Sequence, residues 1–225
     1  MLIHANTCFV HDADGRIVTA NDWLHSPAPR LWIGRTTSGT IWRVRADVPA
    51  TVAGEVGRLC RHESVRTDLQ SQPDYCRHYE ALFADTEPQV QTNAGPTYSF
   101  SEASEVSGSA LRIDSRDADL LQDELAAWVP DIPYQQPFVV SVVGGRAVSV
   151  CASVRISPQA DEAGVETLPD WRRKGYAAGA VATWAGLVMA SGKLALYSTS
   201  WNNTASRSLA GRLGLTQFGA EYCIA

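Results

Sequence analysis

Leu168-Pro169-Asp170-Trp171-Arg172-Arg173-Lys174-Gly175-Tyr176-Ala177-Ala178-Gly179 joins a strand that stops at a proline to a run of small residues where a helix begins. The helix carries Val181, Trp184 and Val188 on its inner stripe, and Gly192 ends it. The first amides of such a helix have no partner within it, and its dipole adds positive potential there, so the turn suits an anion. Gly175, Ala177 and Ala178 let phosphate oxygens approach the backbone, while Arg172, Arg173 and Lys174 add charge at the rim. Two other phosphate loops do not fit. Gly192-Lys193 is followed by Leu194 and preceded by Gly186 at the wrong distance for a Walker motif, and no expected strand-to-helix junction holds Gly-x-Gly-x-x-Gly.

Toward the C-terminus the pattern predicts a strand over 193–198. A helix capped by Asn202 or Asn203 follows, bearing Ser206, Leu209, Ala210 and Leu213, and Gly214 ends it before a last strand near 218–224. Toward the N-terminus a strand over 164–168 is preceded by a hairpin of 138–143 and 147–156 around Gly144-Gly145, a pair that permits the positive φ angles of a primed turn. Before it stand a helix opened by Ser115 or Asp117, with Leu121, Leu125 and Trp128 on one face, and a strand near 111–113. The Ser-, Gly-, Thr- and Pro-rich stretch 87–108 is the candidate boundary, with a short strand over 97–100 allowed inside it. The first part reads as a hairpin over 31–47 with a turn at Ser38-Gly39. A helix after Pro49 and another after Pro73, with Tyr75, Tyr79 and Leu82 on one face, complete it. This order of elements implies a mixed α/β sheet, with an N-terminal α/β region over 1–105 and a second domain over 106–225.

The 225 residues are 45% hydrophobic and 19% charged, which places the chain among globular proteins rather than disordered ones. Acidic residues exceed basic ones by five and only two of the nineteen basic residues are Lys, so no basic tract is available for a nucleic acid. The uncharged stretch 175–192 contains Gly179, Thr183, Gly186 and Ser191 with helical periodicity, and reads as a helix on a sheet rather than a membrane span. The start of the chain shows no secretory signal, so a cytoplasmic location is expected. Five cysteines without a Cys-x-x-Cys pair point to reduced thiols. Cys60-Arg61-His62 and Cys76-Arg77-His78 repeat a tripeptide that zinc could use. Residues i and i+2 of a helix point to nearly opposite sides, however, so no metal is expected there.

Arg172-Arg173-Lys174-Gly175-Tyr176-Ala177 resembles the coenzyme A signature of the GNAT superfamily of N-acetyltransferases, Arg/Gln-x-x-Gly-x-Gly/Ala. The resemblance extends over about 111–225, through Tyr197-Ser198-Thr199-Ser200, Asn203-Thr204-Ala205-Ser206 and Leu213-Gly214-Leu215. It implies a GNAT-type fold, a mixed, mostly antiparallel sheet flanked by helices. The implied activity is transfer of an acetyl group from acetyl-CoA to the primary amine of a small molecule or peptide, without a metal. It further implies that Leu168 meets the pantetheine arm or the thioester oxygen through its backbone. Lys174, Gly175, Tyr176, Ala177, Ala178 and Gly179 would hold the pyrophosphate with Arg172 and Arg173 at the rim, and Asn203 would contact the pantetheine region. Glu166, on the same side of its strand as Leu168, is the candidate base; its alternative is a structural bond in the sheet or to an Arg. Ala210 stands where many members carry a tyrosine acid, which leaves Ser206, Tyr197, Tyr222 or water to protonate the thiolate. Ser206, one turn from Asn203, is the expected choice beside its contact with the cofactor. Trp171, Tyr176 and Trp184 are expected to pack through their rings. A catalytically silent CoA-binding module acting through a protein partner is the alternative.

Overall fold

The computed structural model describes residues 1–84, 90–101 and 110–225. The expected boundary between 105 and 106 lies outside the described residues. The chain divides into two compact units, one formed by Met1–Thr97, Ser198–Thr204 and Gln217–Ala225, the other by Tyr98–Tyr197 and Ala205–Thr216.

The first unit contains α1 (Leu2–Cys8), β1 (Phe9–His11), β2 (Ile17–Ala20), β3 (Leu31–Thr36), β4 (Gly39–Val44), α2 (Ala50–Cys60), α3 (Cys76–Ala84) and β5 (Thr92–Ser99). The hairpin expected over 31–47 is β3–β4, closed by Thr36↔Gly39. Strand alternation in β3 divides the core, with Leu31 and Ile33 packing among Val56, Leu59, Tyr79 and Phe83 of α2 and α3 while Trp32 turns toward Ala5, Phe9 and Ile17. Both faces of β3 are therefore buried. α1, β1 and β2 were not expected, because a seven-residue helix and a three-residue strand carry too few turns or alternations to stand out. Glu63, 9% exposed, accepts the Tyr79 hydroxyl at 2.9 Å and the Asp74 amide at 2.8 Å, joining the exit of α2 to the start of α3. The Cys60 thiol accepts the same hydroxyl at 3.4 Å, and burial pushes it up to about 12, so it is a protonated core thiol.

The segment Ser198–Thr204 lies along β5, with the Trp201 amide bonded to Ala94 oxygen at 2.9 Å. Gly95 makes this approach possible, since a Cβ there would fall 1.6 Å from Thr199 oxygen. Gly95→Ala is expected to lower unfolding stability by about 3 kcal/mol in a urea titration, because rigid backbone must move. Gly54→Ala, in open space on exposed α2, should leave stability equal or higher.

The second unit contains β6 (Ala110–Ile113), β7 (Phe138–Val143), β8 (Arg146–Ile156), β9 (Ala160–Thr167), α4 (Tyr176–Ala190), β10 (Leu194–Ser198) and α5 (Thr204–Arg212), and β11 (Thr216–Ile224) then closes the chain in the first unit. Strand order is β10-β9-β8-β7-β6 here and β4-β3-β11-β5 in the first unit. β6 to β9 run antiparallel, and β10 is parallel to β9. Gly144 and Gly145 take φ of 58° and 81°, the primed turn expected between β7 and β8.

α4 packs on one face of these strands, where Trp184, Val181 and Val188 meet Val139, Cys151, Ala163 and Val165. Ser149 and Ser153, buried on β8, are satisfied there: Ser153 accepts the Trp184 indole N–H at 3.0 Å and bonds Asp161, which Lys193 pairs at 2.9 Å. On the other face lies the expected helix after Ser115, and here the sequence reading is corrected. Two 3-10 segments, Ser115–Leu120 and Asp123–Asp131, replace one α-helix. Asp114 and Asp117 form a capping box for the first, Asp123 takes a left-handed φ of 53°, and Pro130 sits inside the second. These breaks interrupt the i→i+4 ladder that the spacing of Leu121, Leu125 and Trp128 suggested. Leu121 and Leu125 still reach the core with Phe138, Val150 and Leu168.

Candidate functional site

The parallel ladder between β9 and β10 holds only Leu194↔Ala160, Ala195↔Asp161 and Leu196↔Glu162. β9 continues to Thr167, paired among the described residues only with β8 on its other side. The Leu168 amide bonds Val148 oxygen at 3.1 Å. Antiparallel alternation then turns the main-chain groups of Val165 and Thr167 away from β8, toward the side that β10 has left. The Leu168 side chain is buried and its carbonyl accepts the Trp171 amide at 2.9 Å. The main-chain edge that β10 leaves thus lies just before Leu168, at Val165 and Thr167.

Past Leu168, one 3-10 turn, Pro169–Trp171, leads into the basic loop. Arg173 has φ 60° and Gly175 φ 93°, so the chain turns left-handed twice within three residues before α4 starts at Tyr176. Gly175 is the N-cap, and no side chain caps the helix. The first amide taken into the ladder is that of Gly179, bonded to Gly175 oxygen at 3.1 Å. Tyr176, Ala177 and Ala178 precede it and present their N–H groups at the positive end of the helix. Ser141 fixes this start to β7, its hydroxyl donating to Tyr176 oxygen at 2.9 Å.

The cations around the loop are placed differently from one another. Arg172 donates Nε to Thr167 oxygen at 3.1 Å, tying the loop to the end of β9. Lys174 Nζ sits 4.9 Å from the centroid of Trp171, whose ring meets Tyr176 edge to face at 5.6 Å. Arg173 is exposed. A fourth cation was not foreseen: Nη2 of Arg212, in the last turn of α5, lies 3.6 Å from where a Cβ on Gly175 would be. The two residues are 37 positions apart and no local pattern links them. Arg212 has no ion-pair partner among the described residues.

Glu166 is half-buried on β9, on the side of Leu168 and the 3-10 segments, and its Oε2 accepts the Trp128 indole N–H at 2.6 Å. Ser206, on α5, shares a hydroxyl–hydroxyl bond of 2.5 Å with Tyr197, which packs with α4. Burial pushes the Tyr197 phenol up to about 12, with the Ser206 bond partly opposing, so it stays protonated at neutral pH. Ala210, one turn beyond Ser206, is buried in the same cluster. Asn203 stands in the turn just before α5, its amide bonded to Ser200 oxygen at 3.1 Å. The structure thus brings the basic loop and Arg212 together, and pairs Ser206 with Tyr197. It does not bring Glu166 to that pair, since their side chains belong to opposite faces of the strands.

No protein-family model matches the sequence, and no curated protein matches it. Solved structures do. An acetyltransferase from the GNAT family from Colwellia psychrerythraea matches with a TM-score of 0.52 at 12% identity, over 82% of this chain and 75% of that one. A GCN5-related N-acetyltransferase-like protein from Streptococcus suis matches with a TM-score of 0.52 at 14% identity, over 88% of this chain and 85% of that one. A GNAT-family structure from Novosphingobium aromaticivorans matches with a TM-score of 0.47 at 18% identity over 60% of this chain, which spans 66% of its length. The chain therefore has a GNAT-type fold, a mixed α/β architecture with a mostly antiparallel sheet flanked by helices. No helix among the described residues is long and apolar enough to cross a membrane.

Proposed function

We propose that this chain is an acetyl-CoA-dependent N-acyltransferase that delivers the acetyl group directly to a primary amine of a small molecule or peptide. The observation that carries this reading is the uncapped start of α4 behind left-handed Gly175, bordered by Arg172, Arg173, Lys174 and Arg212. It suits the charge of a diphosphate, and it adjoins the stretch of β9 that β10 leaves, where a pantetheine arm can bond main-chain groups as a third strand would. Bound acetyl-CoA supplies a thioester whose carbonyl the amine attacks as the thiolate leaves. Glu166 Oε1 takes a proton from the incoming ammonium. The amides of Val165 or Thr167 stabilise the oxyanion; as the adduct collapses its nitrogen gives its second proton to water, and the hydroxyl pair Ser206–Tyr197 protonates the leaving thiolate from the other face and regains its proton from water. A cationic amine suits the acidic surface, and free thiols suit a cytoplasmic setting.

A catalytically silent CoA-binding module is the second reading, favoured by buried Ala210 and by the bond that already occupies one oxygen of Glu166. Release of free thiol from acetyl-CoA across a panel of amines and peptide N-termini separates them. Turnover with at least one acceptor is expected. A protein that melts higher with CoA yet frees no thiol with any amine is a binder only.

A further inference from the structure

Trp128 makes a directed bond that packing alone does not explain. Its ring lies over β9: a Cβ on Gly164 would stand 3.2 Å from Cη2, and the ring meets Phe138 edge to face with centroids 6.0 Å apart. Burial of the ring accounts for those contacts. It does not require the indole N–H to aim at Glu166 Oε2, 2.6 Å away, on the residue that alternation places on the same side of β9 as Gly164. The other oxygen of Glu166 has no partner among the described residues, and no Arg or Lys pairs with the carboxylate.

The donor's chemistry matters here. A guanidinium would bond both carboxylate oxygens and weaken the group as a proton acceptor. An indole has one N–H, carries no charge and cannot accept, so it immobilises one oxygen and leaves the other open. Geometry is thereby fixed while the second oxygen stays available. The same carboxylate held in two or three rotamers would spend much of its time out of line with an amine, and near-attack geometry is worth large factors in rate.

Resting on the reading of Glu166 as the base, we infer that Trp128 is its positioning residue, holding Oε2 so that Oε1 faces the acceptor amine. The test is a double-mutant cycle of Trp128→Phe and Glu166→Gln, with kcat and KM measured by thiol release. Trp128→Phe alone is expected to lower kcat about tenfold, the order of one hydrogen bond to a charged group, with KM for acetyl-CoA within about twofold. In the Glu166→Gln background the same change should add less than about twofold. Replacement of Trp128 by its benzothiophene isostere, which keeps the ring's shape and lacks the N–H, should reproduce the loss without a fall in melting temperature. Trp128→His, which restores a ring N–H, should recover part of the rate.

An isostere as active as the natural protein overturns the inference, and so does an equal loss in both backgrounds. Full turnover by Glu166→Gln overturns the base itself and this inference with it. A slow Glu166→Gln beside a fully active Trp128→Phe overturns only the role of Trp128.

Discussion

Gly175→Glu abolishes CoA binding, with an expected loss in affinity of at least about 100-fold by isothermal titration calorimetry. Two effects add. Gly175 holds φ 93°, a region where an L side chain costs about 1–2 kcal/mol, so the turn before α4 is strained by any replacement. The larger effect is charge, since like charges brought together at a binding site cost several kcal/mol. The new carboxylate would also lie beside Arg212, whose guanidinium nitrogen is 3.6 Å from the Cβ position, and an ion pair there would plug the site from within. Gly175→Ala separates the two effects. It carries the strain without the charge, and because its Cβ meets only ordinary contacts it should keep affinity within about tenfold. Undiminished binding by Gly175→Glu would remove the diphosphate from the start of α4, and the transferase reading with it.

Glu166→Gln is expected to lower kcat by about 100-fold or more, the usual contribution of a general base, while KM for acetyl-CoA stays within about twofold. The substitution is nearly isosteric, and the amide oxygen of Gln can still accept the Trp128 N–H, so the packing over β9 is preserved. Rate and fold are thereby separated. An unchanged kcat at saturating amine would return Glu166 to a structural role, and the proton would then leave through water or another group.

The turn proposed for the diphosphate was legible because everything such a site needs is contiguous: a strand, a proline, three cations, a glycine and a run of small residues. The start of α4 at Tyr176, the Gly144-Gly145 turn and the stop near Gly192 were read from chemistry that acts over a few residues. The segment before β7 was misread because the apolar spacing of Leu121, Leu125 and Trp128 fits an α-helix and two 3-10 segments alike when only one face must reach a core. Strand β9 begins at Ala160, four residues earlier than the apolar pattern suggested, because Asp161 and Glu162 are buried inside it and read from sequence as a loop. Arg212 and Trp128 were missed as parts of the site for a different reason. Each meets its partner across 37 or 38 residues, and only the folded chain brings them together.

The path of the chain carries one more consequence. The first unit is completed by Ser198–Thr204 and by β11, whose residues Ala220 to Ile224 pair with β3 from Arg35 back to Leu31. No single scission can therefore release an intact N-terminal half. A fragment that ends before the second unit keeps β3 with one long edge bare, a strand rich in Leu, Trp and Ile that can recruit its own kind from solution. During ribosomal synthesis that edge stays open until the nine residues of β11 have emerged.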